Sequence, residues 1–379
     1  MADFAEVPIR HEARLAKIAG KMSETGFDFL MLTRLPSLAY AGNIYQSLAW
    51  YTNTCVLLSR DGDSCLVAPL GDVDRISTET WIKRIEPWNP QLRSLRERKF
   101  EKVIGDFVRA KNIPNPVIGV EDNLSWTQYA NLKSELPNAE FRPCAPVINS
   151  VMVIKEEEEL PRIRKVASLC DIGYEAAVRS IRAGMSEVQL VGEVEYAMRK
   201  AGCEGYWVPN QAGTGEIVLT DHYPGQAVIR ENHIVKFGIH PQYKLYCGDI
   251  AVTTTLKKPD PKFKHMADVC TEATQACIDI IKPGVRACEI DAVFRKIMNH
   301  YGYGDEYTGW YIGHGIGTGH QPPFISGDDQ TVLEKNMVIV VNTMAVKKGQ
   351  PGVVYETMLL VTDNGYERLN RNPMHLVEL

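Results

Sequence analysis

The stretch Ile181-Arg-Ala-Gly184-Met-Ser-Glu187 … Met198-Arg-Lys-Ala-Gly202 returns one hundred residues later as Ile281-Lys-Pro-Gly284-Val-Arg-Ala287 … Met298-Asn-His-Tyr-Gly302. The offset holds at Gly184/Gly284, Met198/Met298 and Gly202/Gly302. A pair of β-rich runs follows each copy. The first pair is Ile234-Val-Lys-Phe-Gly238 and Tyr246-Cys-Gly-Asp-Ile-Ala-Val-Thr-Thr-Thr-Leu256; the second is Met337-Val-Ile-Val-Val-Asn-Thr343 and Gly352-Val-Val-Tyr-Glu-Thr-Met-Leu-Leu-Val361. A helix followed by a hairpin, twice, implies two α+β halves related by a pseudo-twofold.

Upstream, strands and helices alternate. Arg14 to Gly26 has helical spacing (Leu15, Ile18, Met22) and precedes the buried-strand run Phe27-Asp-Phe-Leu-Met-Leu-Thr33. Thr54 to Ser59 and Ser64 to Ala68 flank the turn Arg60-Asp-Gly-Asp63 and predict a hairpin. No Gly-rich phosphate loop is present, so residues 1–152 are expected to form a small α/β domain. Residues 153–379 are expected to form a second domain. Its first long helix begins at Glu156-Glu-Glu-Glu159, read as a solvated, acidic first turn.

The 379 residues include 42 Lys or Arg and 47 Asp or Glu, a formal net charge of −5. That length suits two domains, and the balance, with no block of basic residues, argues against a nucleic-acid partner. No apolar run approaches the roughly 18 residues of a membrane span, and no leader peptide is visible at Met1-Ala-Asp-Phe. The nine cysteines include no CxxC pair. Scattered thiols of this kind fit a reducing cytoplasm better than a disulfide framework.

Side chains alternate along a strand, so Ile234, Lys236 and Gly238 share one face, as do Cys247, Asp249 and Ala251. Asn342 and Glu356 interrupt the second pair of runs in the same way, and the repeat matches Lys236 with Asn342 and Asp249 with Glu356. An unpaired buried charge costs several kcal/mol, so such groups must meet each other, a metal or a substrate. Histidines crowd the same region. Tyr311-Ile-Gly-His-Gly-Ile-Gly-Thr-Gly-His-Gln321 carries His314 and His320 in a glycine-rich run expected to be too flexible for a regular element. His222 lies in Thr220-Asp-His-Tyr, just before the first hairpin. His233 and His240 have no such company and are set aside.

Together, the Ile-Lys-Pro-Gly helix start, the Gly-His-Gly-Ile-Gly run, and Glu356 followed by Leu360-Val-Thr-Asp-Asn-Gly365 resemble the creatinase and aminopeptidase P superfamily. The resemblance covers nearly the whole chain. It implies a pita-bread C-terminal domain behind a smaller creatinase-type N-terminal domain, and a homodimer in which loops of one subunit close the other's pocket. Tyr45 to Tyr51 could be such a loop, and Arg34, Trp50 and Tyr51 are candidate substrate contacts. The superfamily's metallopeptidases hold two ions with Asp, Asp, His, Glu and Glu. Matched to that pattern, Asp249, His314 and Glu356 keep their places, whereas Lys236 replaces the first Asp and Asn342 the first Glu.

Two ions bring about four positive charges, which bridging carboxylates must offset. Losing two carboxylates and gaining an ammonium makes the site unsuited to a pair of ions. The main expectation is therefore a metal-independent hydrolase of a C–N bond in a small nitrogen-rich substrate, a creatine-like guanidino compound or ectoine-like amidine. In that scheme His222 or His320 is the general base, Lys236 steadies oxyanion charge, Asp249 and Glu356 bind the cationic part, and Asn342 orients the substrate. The alternatives are a single-metal Xaa-Pro-type peptidase using Asp249, His314 and Glu356, a lyase abstracting a carbon-bound proton, and a non-catalytic binding module.

Overall fold

Gly184 and Gly284 both sit at positive φ, 88° and 91°. Their N–H groups donate to Ile229 O and Leu333 O, each at 2.9 Å. Left-handed backbone of this kind favours glycine, and at both places it turns the chain into a repeated helix. Those helices are Glu187–Lys200 and Ala287–His300. Ser186 and Gln189 close a capping box on the first. Leu190, Val194 and Met198 on one helix, and Ile290, Phe294 and Met298 on the other, form equivalent buried stripes at i, i+4, i+8. Burying each such side chain is worth about 1.5–3 kcal/mol. The helices Leu160–Ser180 and Pro261–Asp279 complete the two pairs.

The computed structural model describes residues 8–45, 53–89, 98–215, 223–304, 311–346 and 352–379. They fall into two units, Pro8–Met152 and Val153–Leu379. In the first, strands β1 (Phe29–Leu32), β2 (Cys55–Ser59), β3 (Ser64–Pro69), β4 (Ile85–Trp88), β5 (Val117–Val120) and β6 (Glu140–Pro143) form one mixed sheet ordered β4-β3-β2-β1-β5-β6. The expected hairpin is β2–β3, antiparallel from Cys55↔Val67 to Leu58↔Ser64.

In the second unit, β7 (Gly205–Tyr206), β10 (Pro241–Tyr243) and β11 (Tyr246–Cys247) make a small sheet. The large sheet contains β8 (Gln211–Gly215), β9 (Ile234–Ile239), β12 (Ile250–Thr255), β13 (Gly313–Ile316), β14 (His320–Phe324), β15 (Val338–Ala345) and β16 (Val353–Val361). Their order is β14-β13-β15-β16-β12-β9-β8, with β17 (Tyr366–Arg368) beside β16 and β18 (Val377–Glu378) beside β12. The two repeated hairpins, β9–β12 and β15–β16, meet at the antiparallel β12–β16 seam, where Ala251 faces Glu356. This is the α+β pita-bread architecture behind an α/β N-terminal domain.

Two local expectations are corrected. The glycine-rich run is not irregular: Gly313–Ile316 and His320–Phe324 pair as an antiparallel hairpin. A Cβ on Gly313 would lie 2.4 Å from Val340 O, and one on Gly315 2.1 Å from Pro322 O. These glycines let neighbouring backbones close in on one another, a packing requirement rather than a source of flexibility. Nor is the acidic run wholly solvated. Glu159 is buried, accepts from Glu156 N and Tyr246 Oη, and precedes a helix that starts at Leu160.

Candidate active site

Val235, Phe237 and Ile239 of β9 pack into the apolar cluster shared with the helices Leu160–Ser180 and Glu187–Lys200. Alternation therefore puts Lys236, Gly238 and His240 on the opposite face. Asp249 lies immediately before β12, beyond the Ile250↔Ile239 pair. Asn342 and Glu356 stand directly opposite each other in the β15–β16 ladder. Lys236, His240, Asp249, His314 and Glu356 are all buried.

Asp249 is the centre of this group. Its Oδ2 is 3.4 Å from His314 Nε2 and 3.8 Å from His320 Nε2, and its Oδ1 is 3.5 Å from His240 Nε2. His240 Nδ1 lies 2.9 Å from Pro209 O, and His314 Nδ1 lies 3.1 Å from Gly315 O. A carbonyl only accepts, so in both rings Nδ1 carries a proton, and Nε2 is the ring atom turned toward the carboxylate. Burial opposes ionisation of Asp249, but the facing His314 and His320 outweigh it, and the carboxyl is held well below the usual range. Burial pushes His240 below the usual imidazole range; the Asp249 charge opposes this and Lys236 adds to it.

Two imidazole Nε2 atoms aimed at the two oxygens of one carboxylate are a donor set that suits a cation. Separations of 3.4–3.5 Å exceed a good N–H···O hydrogen bond. Ligands about 2.1 Å from one ion at a tetrahedral angle lie about 3.4 Å apart, which is the spacing found here. Two sets of donors gather at Asp249, Asp249–His314–His320 and His240–Asp249–Glu356. The residues present therefore fit a divalent ion at Asp249. They do not gather as the expected triple: His314 and Glu356 belong to different sets and share only Asp249.

Lys236 Nζ donates to Gln211 Oε1 at 2.6 Å, which ties the ammonium to the adjoining strand β8. Asn342 Oδ1 is buried and accepts no hydrogen bond among the described residues. Trp207 donates its indole N–H to Gly248 O at 2.8 Å, with its ring 4.6 Å from His320 and 6.0 Å from His240. Neither Trp207 nor His240 was marked by the sequence. Arg34 lies in the other unit, where its guanidinium pairs with exposed Asp122 at 3.3 Å. Trp50, Tyr51 and His222 lie outside the described residues.

Comparison with known proteins adds the lineage. Residues 161–363 match the metallopeptidase family M24, and residues 14–153 match the creatinase/prolidase N-terminal domain. The chain is 30% identical over 281 residues to an Xaa-Pro dipeptidase of Pyrococcus furiosus, covering 74% of this chain and 80% of that one. It is similar in structure to an Xaa-Pro dipeptidase from Bacillus anthracis, with a TM-score of 0.85 and 26% identity, over 98% of this chain and 100% of that one. A prolidase from Thermococcus sibiricus shares the fold with a TM-score of 0.90 at 20% identity, over 98% and 100% of the two chains.

These relatives overturn the main expectation of a metal-independent hydrolase of non-peptide C–N bonds. The Lys236 ammonium does not stand in for a metal here, because it is tied to Gln211. The sequence did not reveal that Gln211 engages its ammonium or that His240 adds a donor at Asp249. With its pita-bread domain, its N-terminal domain and its kinship to dipeptidases, the chain is a hydrolase belonging to the metallopeptidase family M24.

Proposed function

We propose that the protein is a peptidase of the Xaa-Pro type that depends on a single divalent ion held at Asp249. The observation that carries this reading is the convergence of imidazole Nε2 atoms on one buried carboxylate at ligand spacing. An ion there supplies Lewis-acid polarisation of the scissile carbonyl and a more acidic bound water. One ion also fits the charge. Asp249 and Glu356 offset its two positive charges, and Lys236 leaves no surplus anion for a second.

The chain's own groups do the rest. Asn342 Oδ1 accepts a hydrogen bond from a substrate N–H and so orients the scissile bond. His320, whose side chain is 40% exposed, is the imidazole of this group placed to exchange a proton with a substrate, and Trp207 holds its ring edge-on. Nine cysteines, all free, support the accompanying proposal of a reducing cytoplasm. No helix among the described residues is long and apolar enough to cross a membrane. A homodimer acting on a small-molecule substrate remains part of the proposal.

The test is release of free proline from Xaa-Pro dipeptides before and after EDTA, with Zn²⁺, Co²⁺ or Mn²⁺ returned. Activity should vanish with EDTA and return with an added ion. Turnover indifferent to EDTA, or no proline released with any ion, would reject the reading.

A further inference from the structure

We infer that His240, which lies outside the five ligand positions of the family pattern, is a ligand of the ion. It binds through Nε2 together with Asp249 Oδ1 and Glu356. This rests on the metal-dependent reading above and specifies where the ion sits.

Four observations converge on this set. His240, Asp249 and Glu356 are all buried, and their ligand atoms lie within 4.8 Å of one another. The 2.9 Å bond from Nδ1–H to Pro209 O fixes the tautomer that leaves Nε2 free of a proton, a backbone restraint typical of metal-binding histidines. The main-chain N–H of His240 donates to Asn210 Oδ1 at 2.7 Å, so ring and backbone are anchored to the same segment. Finally, Gly238 clears the space the ring uses. A Cβ there would lie 2.8 Å from His240 Cε1 and 3.1 Å from Nε2.

The rival set contains one carboxylate and includes His320, which is 3.8 Å from Asp249 and partly exposed. Two carboxylates neutralise a divalent ion where one does not, and three protein ligands leave a fourth position open for water. The strand that lost its first carboxylate at Lys236 thus regains a ligand four residues on, along the same face. An imidazole in place of a carboxylate favours borderline ions such as Zn²⁺ or Co²⁺ over Mn²⁺ or Mg²⁺. His314 and His320 stay on the Oδ2 side of Asp249.

The experiment counts zinc by elemental analysis in the full chain after chelator dialysis and equilibration with buffered Zn²⁺. Circular dichroism monitors folding. His240→Asn keeps an amide donor for Pro209 O but removes Nε2, and Gly238→Ala keeps the histidine but displaces it. Wild type should hold one zinc per chain, both variants should bind it at least about 100-fold more weakly, and His320→Asn should retain it. X-ray absorption on the zinc-loaded unmutated protein, which needs no variant to fold, should find one imidazole in the ligand shell. One zinc retained at wild-type affinity in both variants, or two imidazoles in the shell, overturns the inference and leaves the metal-dependent peptidase standing. A wild type that takes up no ion overturns both.

Discussion

Gly315→Ala should disable the site without touching a polar side chain. The added Cβ would lie 2.1 Å from Pro322 O and 2.8 Å from Gln321 O, both backbone atoms of the paired strand. Ordinary contact begins near 3.5 Å, so β13 and β14 must separate by about 1.4 Å. Overpacking of this sort costs about 1–3 kcal/mol. For a unit the size of Val153–Leu379 that lowers the unfolding midpoint by about 2–12 °C. The functional effect should be larger. The same hairpin carries His314 and His320, whose Nε2 atoms lie 3.4 and 3.8 Å from Asp249, and a shift of this size moves both imidazoles away from the carboxylate they face. Differential scanning calorimetry and proline release from an Xaa-Pro dipeptide measure the two effects. Gly192→Ala is the control: it lies in the helix Glu187–Lys200 with nothing within 4 Å of the new Cβ, and should stabilise by about 0.4–1 kcal/mol. If Gly315→Ala melts within about 1 °C of wild type and keeps full turnover, the close approach of these strands does not hold the site together.

Two further outcomes follow from burial and charge. Among the nine cysteines only Cys288 is part-exposed, and burial pushes the Cys55, Cys170 and Cys247 thiols well above their usual range and Cys65 up to about 12. A thiol reagent at pH 8 should therefore titrate about one thiol in the native protein and all nine after denaturation; rapid reaction of three or more would contradict the packing. Asp61 is lowered from 3.8 to about 2, first by the Lys111 hydrogen bond and then by Ser59. A lowered folded value means the contribution is full above pH 3.8 and fades as pH falls toward 2. The group is mostly exposed and screened, so Asp61→Asn should cost less than about 1 kcal/mol at pH 7. In acid titrations followed by circular dichroism, that gap should close below pH 3.8; a gap that widens would reverse the sign argued here.

The pseudo-twofold was legible in one sequence because its punctuation is local. Gly184 and Gly284 need positive φ, and the stripes 190/194/198 and 290/294/298 need one buried helix face each. The same holds for the polar residues of the β-rich runs. Lys236, Asp249, Asn342 and Glu356 stand out because alternation buries polar groups that then need partners.

Tertiary structure decided what the site does with those residues. His240 was passed over because it stands just past a strand end and before Pro241, with no acidic neighbour in the chain. The signal that could have found it was the alternation Lys236, Gly238, His240, in which a glycine opens room for the next ring. The glycine-rich run was misjudged because glycine marks both loose loops and tight strand contacts, and only the partner strand distinguishes them. Glu159 was placed in solvent because the tyrosine that buries it comes from residue 246. Local sequence therefore determined the elements and their faces, through backbone conformation and periodicity. Which groups converge on Asp249, and at what distance, depended on strands brought together from positions 209 to 356, because a metal-binding geometry belongs to atoms in space and not to their order along the chain.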